Sequence, residues 1–375
     1  MSFPYITSSQ QIDWEHLQAQ ATWFQEMADV PQDVEWHAEG NVQVHTRMVL
    51  EALPDIRGYS ELTVEQKQIL LIAALLHDIE KRSCTREEEQ AGRLRIVSPH
   101  HARKGEGTAR SMLYREHPLP TTQREQICKL VRFHGLPLWA LSKSDPQRAV
   151  ITASLQVDTR LLAMLAEADV RGRICPDQEE LLLQVDLFRE LCREHGCYGQ
   201  PRAFASRYGR FHYLTHPHAH PEYEPYEKPK LEVIMLSALP GTGKDTWIQR
   251  QYPEWPQLSL DELRREKGVD PRNKKENGRI IQEALEQAKL YLRRQRSFVF
   301  NATNVTVDLR RKWVSLFADY HAEIRIVALE VPYVQLLQQN RSREYALPDA
   351  AMESLLRKWE PPSLLEAHQL EFPDG

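Results

Sequence analysis

Residues 236–247 read LSALPGTGKDTW and set two glycines, a lysine and a carboxylate close together. The chemistry open to such a stretch is phosphate binding. Backbone N–H groups of a glycine turn can surround an anion, and a helix starting behind them adds a favourable field. The usual pattern is G-x-x-x-x-G-K-[ST]. Here Ala238 stands at the first glycine and Asp245 at the hydroxyl. Gly241, Thr242 and Gly243 still supply the turn, and Lys244 is placed to reach the β- and γ-phosphates of a nucleoside triphosphate. Asp245 has three readings: a magnesium ligand, a ligand through water, or a helix-start charge with Thr246 at the α-phosphate.

Further side chains follow in an order that suits phosphoryl transfer. In QLSLDELRRE, Asp261 is placed to accept the proton of an attacking hydroxyl. Arg264 is placed to hold a neighbouring phosphate with its planar fork. Asn301 and Asn304 come at a strand end, and Asn304 is assigned to the substrate. Arg341 and Arg343 lie where a segment could close over the triphosphate and stabilise transition-state charge. Any one of these charges alone reads as a solvated helix face; their order is what carries the inference.

The first half holds a different constellation. ALLHDIEK carries His77 and Asp78 on an apolar helix, with His45, His101, His134 and Asp169 spread around it. Imidazole and carboxylate together suit zinc, manganese, iron or nickel, and the set could hold two ions. Each lone histidine is more often a plain core or surface residue. Lys81 follows His77 by four, and Arg173 follows Asp169 by four, so each ligand would have a cation one turn away. Such cations suit an anionic phosphate substrate.

These residues need two kinds of framework. Before residue 215 the pattern is helical nearly throughout. Thr63 opens a capping box ahead of QILLIAALL, one further helix spans VITASLQVDTRLLAMLAEADV, and another spans EELLLQVDLFRELCRE. After residue 230, LEVIML, SFVFN and EIRIVALEV are β-rich runs separated by helical stretches, which argues for a parallel α/β sheet. Between them, THPHAHPEYEPYEKPK carries Pro217, Pro221, Pro225 and Pro229 and reads as an extended linker. The expected organisation is therefore an N-terminal all-α domain at 1–214 with its core at 31–180, a linker at 215–230, and an α/β domain at 231–375.

The bulk numbers exclude some classes. A net charge of -5 leaves no global basic signature, so nucleic-acid contact must be local. No stretch approaches the roughly 18 apolar residues a membrane span needs, and the first twenty residues have no leader pattern. The 5 cysteines form no C-x-x-C pair, so reduced thiols and a cytoplasmic location without a membrane partner are expected.

The motifs P-G-T-G-K-D-T-W, S-L-D-E-L-R, N-A-T-N, R-S-R and W-E-P-P-S-L-L-E-A resemble the polynucleotide 5'-kinase family over 231–375. That resemblance implies a P-loop kinase fold, Mg2+ with ATP or another NTP, Asp261 activating a 5'-hydroxyl, Arg264 on a substrate phosphate, and Arg341 and Arg343 clamping the NTP. The order H…HD…H…H…D resembles the HD phosphohydrolase superfamily, a helical bundle. WHAEGNVQVHT and EADVRGR look like the HD module of bacterial tRNA nucleotidyltransferases. There the first ligand matches His45, while His37 stands as a second candidate for ligand or substrate contact. One or two divalent ions such as Mn, Ni, Co, Fe or Zn are implied. The whole chain resembles the bacterial bifunctional end-healing enzymes of HD-kinase type. The implied partners are RNA or DNA strand ends, an NTP and a separate nucleic-acid ligase. Two other readings stand beside this one: a nucleotide phosphohydrolase fused to a nucleoside kinase, and an end sensor without turnover.

Overall fold

Eight consecutive residues, Ile69 to Leu76, are buried at the centre of the first half of the chain. A helix that is apolar all round has no solvent face, so others must surround it. In the computed structural model, which describes residues 3–270, 273–343 and 345–373, the helices Val42–Ala52, Thr121–Phe133 and Thr159–Arg171 pack on this central helix, Val64–Leu76. Its start is the expected capping box, with Thr63 and Gln66 bonding each other's backbone N–H.

The chain divides into two compact units, Met1–Ala203 and Phe204–Gly375. Two features of the first unit depart from the sequence reading. The run 150–170 is not one helix: Pro146–Ser154 and Thr159–Arg171 meet at a 111° bend. Asp158 restarts the second by accepting from the N–H groups of Arg160 and Leu161. The apolar pattern runs on through Leu155 and Val157 with no glycine or proline, which hid the break. The unit is also not purely helical. β1 (Arg86–Gln90) and β2 (Arg93–Val97) form an antiparallel hairpin turned by Ala91 and Gly92, both at positive φ.

The second unit carries the expected parallel sheet. Its strands are β3 (Leu231–Ala238), β4 (Gln257–Ser259), β5 (Phe298–Asn301), β6 (Ala322–Leu329) and β7 (Gln369–Glu371), in the order β4-β5-β3-β6-β7. Every pairing is parallel. β3 and β5 are almost wholly buried, as helices on both faces require. The chain runs from β3 to β4 on one side and crosses from β5 to β6 on the other, so the strand order reverses at β3 and a crevice opens at its carboxyl end, where doubly wound sheets bind ligands.

The expected boundary at 214/215 moves to 203/204. The helix Arg207–Thr215 belongs to the second unit: Phe211 is in its core and stacks on His368 at 4.0 Å, and Arg210 donates to the carbonyls of Ala367 and His368. The proline-rich segment therefore lies inside this unit, with Glu224 accepting from Ser206. Among the described residues, no single helix is long and apolar enough to cross a membrane.

Candidate functional site

His77 and Asp78 sit just past the end of the central helix, at Leu76, rather than on it as the sequence suggests. That position releases both side chains into the middle of the bundle. Asp78 lies between two groups of ligands. Its Oδ2 is 3.3 Å from His77 Nε2 and 3.7 Å from His45 Nε2, while its Oδ1 is 3.3 Å from His101 Nε2 and 4.0 Å from His134 Nε2. Asp169 Oδ1 completes the first group, 3.1 Å from His45 Nε2. Each set, His45–His77–Asp169 and Asp78–His101–His134, has its ligand atoms within 4.8 Å of one another.

The backbone fixes which nitrogen points inward. Nδ1 of His77, His101 and His134 lies 2.7–2.8 Å from the carbonyls of Ala74, Ser98 and Val131, and Nδ1 of His45 is 3.1 Å from that of Gly172. A carbonyl only accepts, so these Nδ1 atoms carry the proton and Nε2 is left bare for the centre. His45 Nε2, His77 Nε2 and Asp78 Oδ1 are buried without a hydrogen-bond partner. Buried polar atoms are rarely left so, and a divalent cation fits all three.

Electrostatics agree with that fit. Burial raises the Asp78 carboxyl, but the Lys81 charge and then His77 outweigh it and hold it well below the carboxylate range. Burial acts likewise on Asp169, outweighed by Arg173 and then His45. Burial pushes the His134 imidazole down to about 3, so it is neutral and ready to ligate. At His45 burial lowers the imidazole, but Asp169 and then Glu39 raise it overall, so here a cation would compete with a proton for Nε2.

The cations meet the carboxylates directly. Lys81 Nζ is 2.8 Å from Asp78 Oδ2 and donates to Gln32 at 2.7 Å; Arg173 Nε donates to Asp169 at 3.0 Å. Neither contact runs along a helix face as the spacing suggested: the helices end at Leu76 and Arg171. His37 lies outside these two sets and forms a third with Glu39 and His45, whose ligand atoms also lie within 4.8 Å of one another. Its Nδ1 contacts Glu39 Oε1 at 2.8 Å, and the same oxygen is 3.0 Å from His45 Nδ1. His45 is thus shared between two of the sets, and His37 lines a cleft of about 200 Å³ beside it with Trp36, Lys81, Ile96 and His101.

Glu39 and Gly172 escaped the sequence reading, although both flank recognised residues. A methyl on Gly172 would stand 2.7 Å from the Val49 backbone nitrogen on the helix that carries His45. Gly172→Ala should therefore cost about 1–3 kcal/mol of stability and displace the carbonyl that orients His45. Thermal unfolding and metal content after dialysis would measure this; wild-type values for both would show slack between the helices.

In the second unit, the glycine loop runs from β3 into the helix Lys244–Gln251. Gly241 and Gly243 have φ of 93° and 86°, where a side chain is strained. Thr242 Oγ1 donates to the Leu239 carbonyl at 2.9 Å, and half-buried Lys244 reaches the same carbonyl at 3.4 Å. Burial lowers the Lys244 ammonium to about 8, against the raising charges of Asp261 and Asp245, with Arg343 lowering it further. Thr246 is exposed on the first turn of the helix.

Asp261 is exposed on the first turn of the helix Leu260–Glu266, started by Ser259. Arg264 Nη1 donates to it at 2.6 Å, while Arg264 Nε donates to Asn277 at 2.8 Å. Asp245 Oδ1 accepts from Asn301 Nδ2 at 2.7 Å. Arg341 and Arg343 are exposed at and beyond the end of the helix Tyr333–Arg341, with Arg341 3.7 Å from Asp349. Buried Asn340 bonds Leu347 in both directions and so ties the base of that loop beside Gly241.

Asn304 is buried with φ of 46°, and its amide donates to the Leu236 carbonyl at 2.8 Å, so it braces the end of β3. Its own carbonyl accepts from Arg310, which is fully buried and paired to Glu366. The W-E-P-P-S-L-L-E-A segment is thereby pinned to the sheet.

Residues 233–362, about a third of the chain, match the family model described as AAA domain. No curated protein matches the chain in sequence. Among solved structures it is similar to a protein from Chloroflexus aurantiacus described as a candidate kinase, at 20% identity over 40% of this chain and 87% of that one, with a TM-score of 0.34. It is also similar to a chain of the Pnkp1/Rnl/Hen1 complex, at 20% identity over 34% of this chain and 44% of that one, with a TM-score of 0.29. With its parallel sheet, glycine loop and family match, the second unit is a P-loop, kinase-like α/β domain.

Proposed function

We propose that the chain heals broken nucleic-acid ends, RNA foremost, with two opposed phosphoryl reactions. The second unit would transfer the γ-phosphoryl group of an NTP to a 5'-hydroxyl. The first, as an HD-type phosphohydrolase, would remove a 2',3'-cyclic phosphate or a 3'- or 2'-phosphate. The observation that carries the reading is the Asp78 carboxylate set between two ligand groups with bare Nε2 atoms, in one chain with a nucleotide loop. One site is built to take phosphate away and the other to add it, which leaves both ends fit for a separate ligase.

In the kinase unit Asp261 accepts the hydroxyl proton as oxygen bonds to the γ-phosphorus, and the bond to the NDP leaving oxygen breaks. Arg264 keeps Asp261 in position and is near enough to meet the strand's phosphate. Lys244 and Arg343 take up charge on the triphosphate. In the first unit His45, His77, Asp78, His101, His134 and Asp169 would hold two divalent ions. Such ions supply Lewis acidity and a nucleophilic water. Lys81 and Arg173 keep Asp78 and Asp169 ionised, and the Trp36–His37 cleft offers room for the terminal nucleotide.

Asp261→Asn should slow 5'-phosphorylation by about 10²- to 10⁴-fold, the usual worth of a general base, while NTP affinity stays as in wild type. Turnover at the wild-type rate with saturating substrate would remove Asp261 from that role. The same chemistry at both sites would serve a free nucleotide, so the second reading is a nucleotide phosphohydrolase fused to a nucleoside kinase. The test is end-labelling of a 5'-OH oligonucleotide against a nucleoside with γ-labelled NTP. Preference for the nucleoside would overturn the end-healing reading.

A further inference from the structure

P-loop enzymes hold magnesium between a hydroxyl on the loop and an aspartate on a neighbouring strand. This chain has neither residue in its usual place. The loop position is Asp245, on the first turn of the helix Lys244–Gln251. β5 is one of the two strands paired with β3, and it ends on Asn301 at the same carboxyl edge of the sheet. The two side chains meet, Asn301 Nδ2 donating to Asp245 Oδ1 at 2.7 Å. Asn301 is only 5% exposed, so its amide is held by the fold, whereas Asp245 opens to the crevice.

We propose that Asp245 and Asn301 form an exchanged magnesium site, with the carboxylate supplied by the loop and the neutral group by the strand. The inference rests on the reading of this loop as an NTP site and adds the cation's side of it. Together the two positions still carry one carboxylate and one neutral oxygen. The hydrogen bond to Asn301 orients Asp245 and leaves its other oxygen for the cation or a water around it. A carboxylate so close to the β- and γ-phosphates repels them, and a divalent ion between them removes the repulsion. An aspartate at 301 would instead set two carboxylates across a 2.7 Å contact.

The exchange makes a reciprocal prediction that a helix-start charge at Asp245 does not. The full chain is compared with Asp245→Ser, Asn301→Asp and the double variant. The readout is binding of a fluorescent N-methylanthraniloyl ATP as magnesium is raised, which needs no turnover. Asp245→Ser leaves no carboxylate and should raise the magnesium needed for half-maximal binding by at least about tenfold. Asn301→Asp should weaken nucleotide binding, because Asp245 loses its donor and the new carboxylate adds repulsion. The double variant restores the common arrangement and should return to within about twofold of wild type. A double variant as poor as the sum of its singles overturns the exchange, as does Asp245→Ser with a wild-type magnesium curve. If wild type itself shows no nucleotide binding at any magnesium concentration, the nucleotide-site reading falls and the exchange with it.

Discussion

Lys244→Ala should lower 5'-phosphorylation by about 10²- to 10³-fold, comparable to removing one fixed donor from a site of developing charge. The loop would keep its glycine turn, so the protein should fold and retain a weakened hold on nucleotide. A second signature separates this from general damage. Burial sets the free ammonium at about 8. Bound phosphates stabilise its charged form and raise that value further. Between the two values binding takes up a proton, so wild-type NTP affinity should fall as pH rises above about 8 and hold steady below it. The variant has no ammonium to titrate and should lose that slope. Calorimetric NTP binding between pH 7 and 9.5 reads both. An unchanged slope in Lys244→Ala would place the titrating group elsewhere.

Asp78→Ala should reduce release of phosphate from 2',3'-cyclic or 3'-phosphate ends to less than about one hundredth, since losing even an outer partner of a metal ligand costs about 10- to 100-fold in affinity. 5'-Phosphorylation should continue, because the P-loop residues lie in the other compact unit. Removing the carboxylate strips a partner from Lys81, His77 and His101 together. Such a loss inside a core costs about 3–5 kcal/mol, so Asp78→Asn, which keeps the shape, belongs beside it. Bound metal is measured by plasma spectrometry and both activities on end-labelled strands. Full phosphate release by a folded, metal-free Asp78→Asn would refute the metal-centre assignment.

Legibility of the fold followed how local each signal was. β3, the glycine turn and the helix behind it are contiguous, so residue order alone revealed them. The capping box at Thr63 is likewise a four-residue signal. The ordered histidines and aspartates could be gathered, but not the way Asp78 turns one oxygen to each group, because that depends on five helices meeting. The place of Asn304 after a strand gave no sign of its positive φ or of the bond its amide makes to the Leu236 carbonyl. The hairpin escaped because REEEQ is polar throughout and mostly exposed, while RLRIV alternates over too few residues to stand out as a strand. Glu39 could have been suspected from its place between His37 and His45, but its shared oxygen is a tertiary fact.

The stacking of Phe211 on His368 has a consequence for how the kinase-like unit can be handled as a piece of chain. It makes the beginning and the end of that unit neighbours, so its connectivity is nearly a closed circuit. Circuits of this kind tolerate circular permutation, since a short bridge joins the old ends and new ones can open at a surface turn. They tolerate trimming at the seam poorly. A fragment beginning at Lys230 would uncover one face of His368 and withdraw the guanidinium of Arg210 from the two carbonyls it caps. The separable piece starts at Phe204, well before its first strand.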